Sequence, residues 1–322
     1  MARNLRRSNK MTRKEFYYPS ADGNTQIHAM KWEPDGQPRA ILQIIHGMTE
    51  YVGRYEAFAE FMCNHGFVVV GEDHLGHGLS VQDKMHYGYF GDKGNEWMIQ
   101  DIHQLRMATQ KEYEGLPYLM LGHSMGSFLV RQYIVTNEAH YAVGLSGVIV
   151  MGTGWQPGIA MTMGKTLAKM LGIDKLGKTA SAVEAVAFGS YLKRIKNPRS
   201  SKDWLTKDTA IVDKYVADPL CMFHFTANGF YHMFSGMEKA HDIKAMKKLP
   251  AGLPILFTSG GEDPVGNYGE GVRKAYMVYS ENTDCEVSIE IYPEDRHEIL
   301  NELDKDKVYS DLLDFAEHCL SK

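Results

Sequence analysis

The chain has 322 residues, 44% of them hydrophobic and 23% charged. That suits one large domain, or one domain carrying an insertion, with ample core. A net charge of −5, with no block of like charge in the predicted core, gives nucleic-acid binding no electrostatic support, and no apolar run is long enough to span a bilayer.

The first residues, 1–14, are basic, with Arg3, Arg6, Arg7, Lys10, Arg13 and Lys14. No apolar segment follows, as a signal peptide would need, so a solvated, disordered tail is expected. Two short strands, Glu15 to Tyr18 and Gln26 to Trp32, flank the turn at Asp22-Gly23. Ala40 to Ile45 (AILQII) and Phe67 to Val70 read as buried strands, separated by a helix over Tyr55 to His65 that Gly66 stops. A helix over Asn95 to Tyr113 precedes a strand at YLMLG, then a turn and a helix from Ser127. A strand at GVIVM ends at Met151.

This strand–helix rhythm implies a mostly parallel sheet with helices on both faces. It stops at Gly152 and resumes with strand Pro254 to Ser259, helix Tyr268 to Ser280, strand Val287 to Tyr292 and helix Val308 to Leu320. Residues 15–152 and 241–322 therefore read as an α/β core, and 153–240 as an inserted helical cap. Cys63, Cys221, Cys285 and Cys319 are scattered, without metal-ligand spacing. Free thiols in a reducing, cytoplasmic setting are expected.

Between strand and helix lies Gly122-His123-Ser124-Met125-Gly126, a G-x-S-x-G pattern in the strand–turn–helix context of a nucleophile elbow. A serine hydroxyl needs a base, and the base needs a carboxylate to hold it. Both should follow the ends of later strands, in the order Ser, Asp or Glu, His. PILFTS runs into Gly260-Gly261-Glu262-Asp263, and VSIEIY into Asp295-Arg296-His297. Asp263 is the expected acid, with Glu262 as rival and Asp295 as a weaker one. His297 is the expected base, being the only histidine between Asp263 and the last helix. The loop after AILQII should supply an oxyanion donor, which makes the backbone N–H groups of Met48 and Met125 the natural pair. Glu50 and Arg54 could brace that loop as an ion pair. Asp73, His74 and His77 read as turn-bracing groups rather than metal ligands. Two other patterns fail: Gly164-Lys165-Thr166 lacks the strand and spacing of a phosphate loop, and His297-Glu298-Ile299-Leu300-Asn301 lacks the second histidine of a zinc protease motif.

With these residues in hand, the chain resembles the α/β-hydrolase superfamily, specifically its monoacylglycerol lipase and lysophospholipase-like serine hydrolases. The matching stretches are HGMTEYVGRYEAFA from His46, DHLGHGLS from Asp73, GHSMGS from Gly122, GGEDPVG from Gly260 and RHEILNE from Arg296. The resemblance implies an α/β-hydrolase fold, no cofactor and no metal. It places the nucleophile on Ser124, the acid on Asp263, the base on His297 and the oxyanion donors on Met48 and Met125. Two departures bear on substrate preference. Ser127 stands where the family often has a second glycine, and Tyr51 where it often has a histidine.

The expected substrate is a small-molecule acyl ester: a monoacylglycerol, a lysophospholipid or a similar single-acyl ester. One alternative is an aminopeptidase or amidase of the same fold, with a cap carboxylate such as Glu184 or Asp203 holding an amine. Another is a ligand-binding member without turnover. In the cap, Gly158 to Gly172 carries an apolar stripe of Ile159, Met163, Leu167 and Met170 or Leu171. Burial against the core is the expected use of such a stripe. Interfacial docking on lipid is the alternative, which leaves room for peripheral membrane contact through the cap. The cluster from Cys221 to Phe225, with Phe230, Tyr231, Met233 and Phe234, is expected either to line an acyl pocket under the cap or to form cap core. Chain length, leaving alcohol and oligomeric state are not legible in the sequence.

Overall fold

The computed structural model describes residues 11–137 and 139–322. Its centre is an eight-stranded sheet: β1 (Thr12–Pro19), β2 (Gln26–Glu33), β3 (Ala40–Ile45), β4 (Phe67–Glu72), β5 (Tyr118–His123), β6 (Gly147–Met151), β7 (Pro254–Gly260) and β8 (Glu286–Tyr292). The order is β1-β2-β4-β3-β5-β6-β7-β8, with β2 antiparallel to both its neighbours and every other pairing parallel.

Every residue of β3, β4, β5, β6 and β7 is buried, because helices cover both faces. Within these apolar runs the two-residue period still sorts side chains by face. Ile41, Ile45, Met120, Val148 and Val150 join a core with Ile102, Leu129 and Val272. These last three come from α2 (Gly94–Glu112), α3 (Met125–Val135) and α9 (Glu270–Asn282). Leu42, Ile44, Leu121 and Ile149 join a second core with Phe58, Met62, Val308 and Leu312. That face is covered by α1 (Glu56–Asn64) and α10 (Lys305–Leu320). Edge strand β8 alternates exposed Glu286, Ser288 and Glu290 with half-buried Val287, Ile289 and Ile291.

β1 takes in Thr12, Arg13 and Lys14, which the sequence reading assigned to the solvated tail. They pair with Glu33, Trp32 and Lys31 of β2, and Arg13 also bonds Glu15 and Glu56. The exposed strand masks its own pattern, since its charged side chains point to water. Residues 1–10 lie outside the described residues.

Between β6 and β7 run α4 (Gly158–Leu171), α5 (Ser181–Phe188), α6 (Thr209–Ala217), α7 (Ala227–Ala240) and α8 (Ile243–Met246). Here the expected burial of the α4 stripe is corrected. Ile159, Met163 and Met170 are 77%, 67% and 80% exposed, while Met161 and Ala168 are buried. Leu167 and Leu171 are half-buried against the core. The reason is close helix packing: a Cβ on Gly164 would lie 2.5 Å from Phe234 of α7. The small residues Gly164 and Ala168 therefore set the contact face, and the larger apolar residues turn outward. Cys221, Phe225 and Phe230 are buried as cap and core packing, and Phe223 and Phe225 pack edge-on against His77.

Candidate active site

The site is assembled at the carboxyl ends of the parallel strands, where an open α/β sheet gathers its loops. Ser124 follows β5 directly and precedes α3, at φ 54° and ψ −118°. Such a conformation costs a non-glycine residue on the order of 1–3 kcal/mol and persists only where neighbours enforce it. The Ser124 N–H donates to Met151 O at 3.0 Å, and its carbonyl accepts from the Ser127 N–H at 2.9 Å and the Ser127 hydroxyl at 2.6 Å. The serine at 127 thus adds a bond that glycine could not make. A Cβ on Gly122 would sit 2.2 Å from Gly126 O, so the strand and the first turn of α3 nearly touch.

Asp263 follows β7 and is fully buried. Its Oδ2 lies 2.9 Å from His297 Nδ1 and accepts from the Ser259 hydroxyl at 2.9 Å; its Oδ1 accepts from the Val265 N–H at 2.8 Å. A carboxylate only accepts, so Nδ1 carries a proton, and in the neutral ring Nε2 keeps its lone pair. The His297 ring lies 4.7 Å from that of His123, the residue before Ser124, and 5.0 Å from that of Trp204 in the cap. A Cβ on Gly152 would come within 3.1 Å of both imidazoles, so the end of β6 floors the same spot. The rivals stand elsewhere. Glu262 pairs with Lys207 at 3.0 Å, and Asp295 makes no bond to His297.

The loop after β3 closes over the serine. A Cβ on Gly47 would lie 2.9 Å from Ser124 Cβ, so the half-buried Met48 follows a backbone already against the elbow. Met125 opens α3, so its N–H has no intrahelical acceptor. Thr49 sits at φ 53°, and its carbonyl accepts from the Tyr215 hydroxyl of α6 at 2.7 Å. Tyr51 donates to Asp218 Oδ2 at 2.8 Å. The tyrosine at 51 therefore fastens the loop to the cap.

Glu50 and Arg54 do pair, at 2.8 Å, but within a larger buried array. Arg54 also grips Glu298 through two 2.8 Å bonds, and Glu50 faces His123 Nδ1 at 3.1 Å. Burial would raise the pKa of both carboxylates. The His123 bond and charge together with Arg54 hold Glu50 below its usual range, and Arg54 does the same for Glu298. Sequence reasoning missed Glu298 and His123 as members of this array. Their positions beside His297 and Ser124 were the available signal.

Asp73 braces its turn by accepting from the Val52 and Leu79 N–H groups, both at 2.9 Å, and from His28 Nδ1 at 2.8 Å. His74 stacks on His46 at 4.0 Å, and its N–H donates to His46 Nε2 at 3.0 Å. Burial pushes the His74 pKa down to about 4 and that of His77 to about 3. Among the described residues no cluster of three or more His, Cys, Asp or Glu side chains is placed to hold a metal ion. Gly164, Lys165 and Thr166 lie inside α4, with Lys165 paired to Glu238 at 2.5 Å.

Residues 36–304 match the family model described as serine aminopeptidase, S33. A monoacylglycerol lipase of Mycolicibacterium smegmatis is 26% identical over 94% of this chain and 96% of that protein. The human monoglyceride lipase is 26% identical over 88% of this chain and 83% of its own length. A thermostable carboxyl esterase from Bacillus coagulans, solved in complex with glycerol, superposes with a TM-score of 0.87 at 32% identity, covering 97% of this chain and all of that one. With a family match over most of its length and the sheet, elbow and strand-end loops described above, the chain belongs to the serine aminopeptidase S33 family of α/β-hydrolases.

Proposed function

We propose that this protein is a serine hydrolase that cleaves single-acyl carboxylic esters, with a monoacylglycerol or lysophospholipid as the substrate class, through an acyl-enzyme on Ser124. The observation that carries the reading is the buried Asp263–His297 pair, which leaves Nε2 free to accept a proton beside the strained Ser124 elbow. Ser124 Oγ attacks the ester carbonyl as His297 Nε2 takes its proton. The N–H groups of Met48 and Met125 receive the charge on the carbonyl oxygen. The alcohol leaves with the proton from His297. Water, deprotonated by the same nitrogen, then releases the acid and restores the serine. Each oxyanion donor is worth roughly 10²–10³ in rate. The names of the mycobacterial, human and Bacillus relatives support ester over amide chemistry.

The test is a fluorophosphonate probe with p-nitrophenyl ester turnover, on wild type and Ser124→Ala. Labelling of Ser124 and turnover lost in the variant are expected. Equal turnover would sink the assignment, and no labelling would favour a ligand-binding member. The family's description makes an aminopeptidase the second reading. It needs a carboxylate free to hold an amine. Glu184 is paired with His224 at 2.7 Å, while Asp203 accepts from the Arg199 N–H and the Ser200 hydroxyl, both at 2.6 Å. A panel of aminoacyl amides beside acyl esters separates the two.

The outward face of α4 supports peripheral membrane contact through the cap, since Ile159, Met163 and Met170 stand exposed beside Lys169. No helix among the described residues is long and apolar enough to cross a membrane. Co-sedimentation with phospholipid vesicles is expected for wild type and to be lost in an Ile159→Asp/Met170→Asp variant; equal sedimentation would refute the contact.

A further inference from the structure

Hydrolysis as proposed leaves unexplained why so much charge is buried behind the elbow. The Glu50, His123 and Glu298 side chains are 4%, 5% and 4% exposed, and that of Arg54 12%. Each polar atom of His123 has an assigned partner. Nε2 faces the backbone carbonyl of His297 at 3.3 Å, and Nδ1 faces Glu50 Oε1 at 3.1 Å. The Tyr55 hydroxyl lies 2.9 Å from the same Glu50 oxygen and 3.1 Å from Nδ1, and the carboxylate is the nearer and the charged acceptor for its one proton.

These contacts determine the protons on the ring. A carbonyl oxygen only accepts, so Nε2 must carry hydrogen. A bare Nδ1 would have to draw the Tyr55 proton away from the nearer carboxylate, and its lone pair would still face a Glu50 oxygen 3.1 Å away. Both contacts favour hydrogen on Nδ1 as well, which would make the ring an imidazolium. Charge balance agrees. Arg54 faces both Glu50 and Glu298, and a second cation leaves the four buried groups neutral instead of carrying an uncompensated charge. Among the described residues the other ionisable neighbours include Tyr55, Tyr215 stacked on Arg54, Cys221, His46 and the His297 ring. Burial alone would lower the His123 pKa, but the bond and charge of Glu50 raise it.

We propose that His123 is a standing imidazolium and a positioning residue for Ser124 chemistry. With Arg54 it cross-links two loops that must keep register. Glu50 accepts from the Gly47 N–H, one peptide before the Met48 donor. On the other side, His123 holds the carbonyl of His297, and Arg54 holds Glu298 next to it. The oxyanion loop and the base loop are thus tied through one ionic bridge, whose recorded bonds go to the loops and not to Ser124 Oγ or His297 Nε2. This rests on the reading of Ser124, Asp263 and His297 given above.

The test has two arms. In ¹⁵N-histidine-labelled protein at pH 8, long-range ¹H–¹⁵N spectra are expected to show two ring N–H protons on His123, identified by the signals lost in His123→Gln. Glu50→Gln is expected to leave one. In the second arm, kcat is measured on a p-nitrophenyl ester and normalised to sites titrated by a fluorophosphonate. Both His123→Gln and Glu298→Gln are expected to lower it about 10- to 100-fold with KM held within about two-fold, because misplacement rather than binding is at stake. Normalisation removes losses from misfolded protein. If His123→Gln does not fold, Glu50→Gln identifies the ring signals and Glu298→Gln carries the kinetics. A single ring proton at pH 8 overturns the imidazolium, and wild-type kcat per titrated site overturns the positioning role. A wild-type protein that neither turns over ester nor takes the probe fails the reading of Ser124 instead, and the proton count still decides the charge of His123.

Discussion

Replacing His297 with alanine is expected to lower kcat on an acyl ester about 10⁶-fold, and adding Ser124→Ala is expected to cost almost nothing more. In the proposed mechanism the two side chains act in one step: without the base the hydroxyl stays protonated, and without the hydroxyl the base has no proton to take. Residual turnover would come from binding and from the proposed oxyanion donors, the Met48 and Met125 N–H groups, which neither change touches. Asp263→Asn is expected to cost less, about 10⁴-fold, because the amide can hold His297 in the wrong tautomer while leaving it in place. Asp263 Oδ2 meets both His297 Nδ1 and the Ser259 hydroxyl, so an amide nitrogen there would need Nδ1 bare and the Ser259 hydroxyl turned to accept. Single-turnover rates on wild type, the two single variants and the double variant check this. Losses that multiply would show that Ser124 and His297 do not work as one unit.

The second large effect is on stability. Gly126→Ala is expected to destabilise the fold by about 3 kcal/mol or more. Its Cβ would lie 1.9 Å from Ile45 O and 2.6 Å from His46 O. Both are backbone atoms at the buried end of β3, so neither can swing aside, and α3 would have to lift from the sheet. The control is Gly158→Ala at the start of α4, where a Cβ meets nothing within 4 Å. That change is expected to be neutral or to stabilise by up to about 1 kcal/mol, since alanine favours helix over glycine. Urea denaturation of the three proteins decides it. A Gly126→Ala protein as stable as wild type would mean that elbow and strand are not in the contact described.

Much of this protein was legible in its residues because the signals were local. Strands β3 to β7 are mostly apolar runs, broken by Gln43 in β3 and closing on polar residues in β4, β5 and β7, and such runs have few other uses in a chain that alternates with helices. The elbow was legible because only glycine fits where two backbones come within a Cβ of each other. Asp263 and His297 were candidates from chain order, each in the loop after a strand, with Glu262 and Asp295 as rivals until the pairing was seen. The first residues of β1 were not, because an edge strand with solvated side chains has no apolar pattern to show. The face of α4 was misread for a related reason. Periodicity reports that a stripe exists, and Gly164 against Phe234 decides which side of the helix is pressed to the core.

The sequence by itself determined the parallel sheet, the strained serine turn and the order of the Ser124, Asp263 and His297 residues, all of which depend on neighbours in the chain. Only the tertiary structure decided that Arg54 and Glu298, 244 positions apart, share two hydrogen bonds, and that Glu50 reaches His123 across 73. A buried charge signals nothing until its counter-charge is in place, because burial without a partner is too costly to persist. The pairing exists only once β3, β5 and the loop after β8 have been brought together by the sheet.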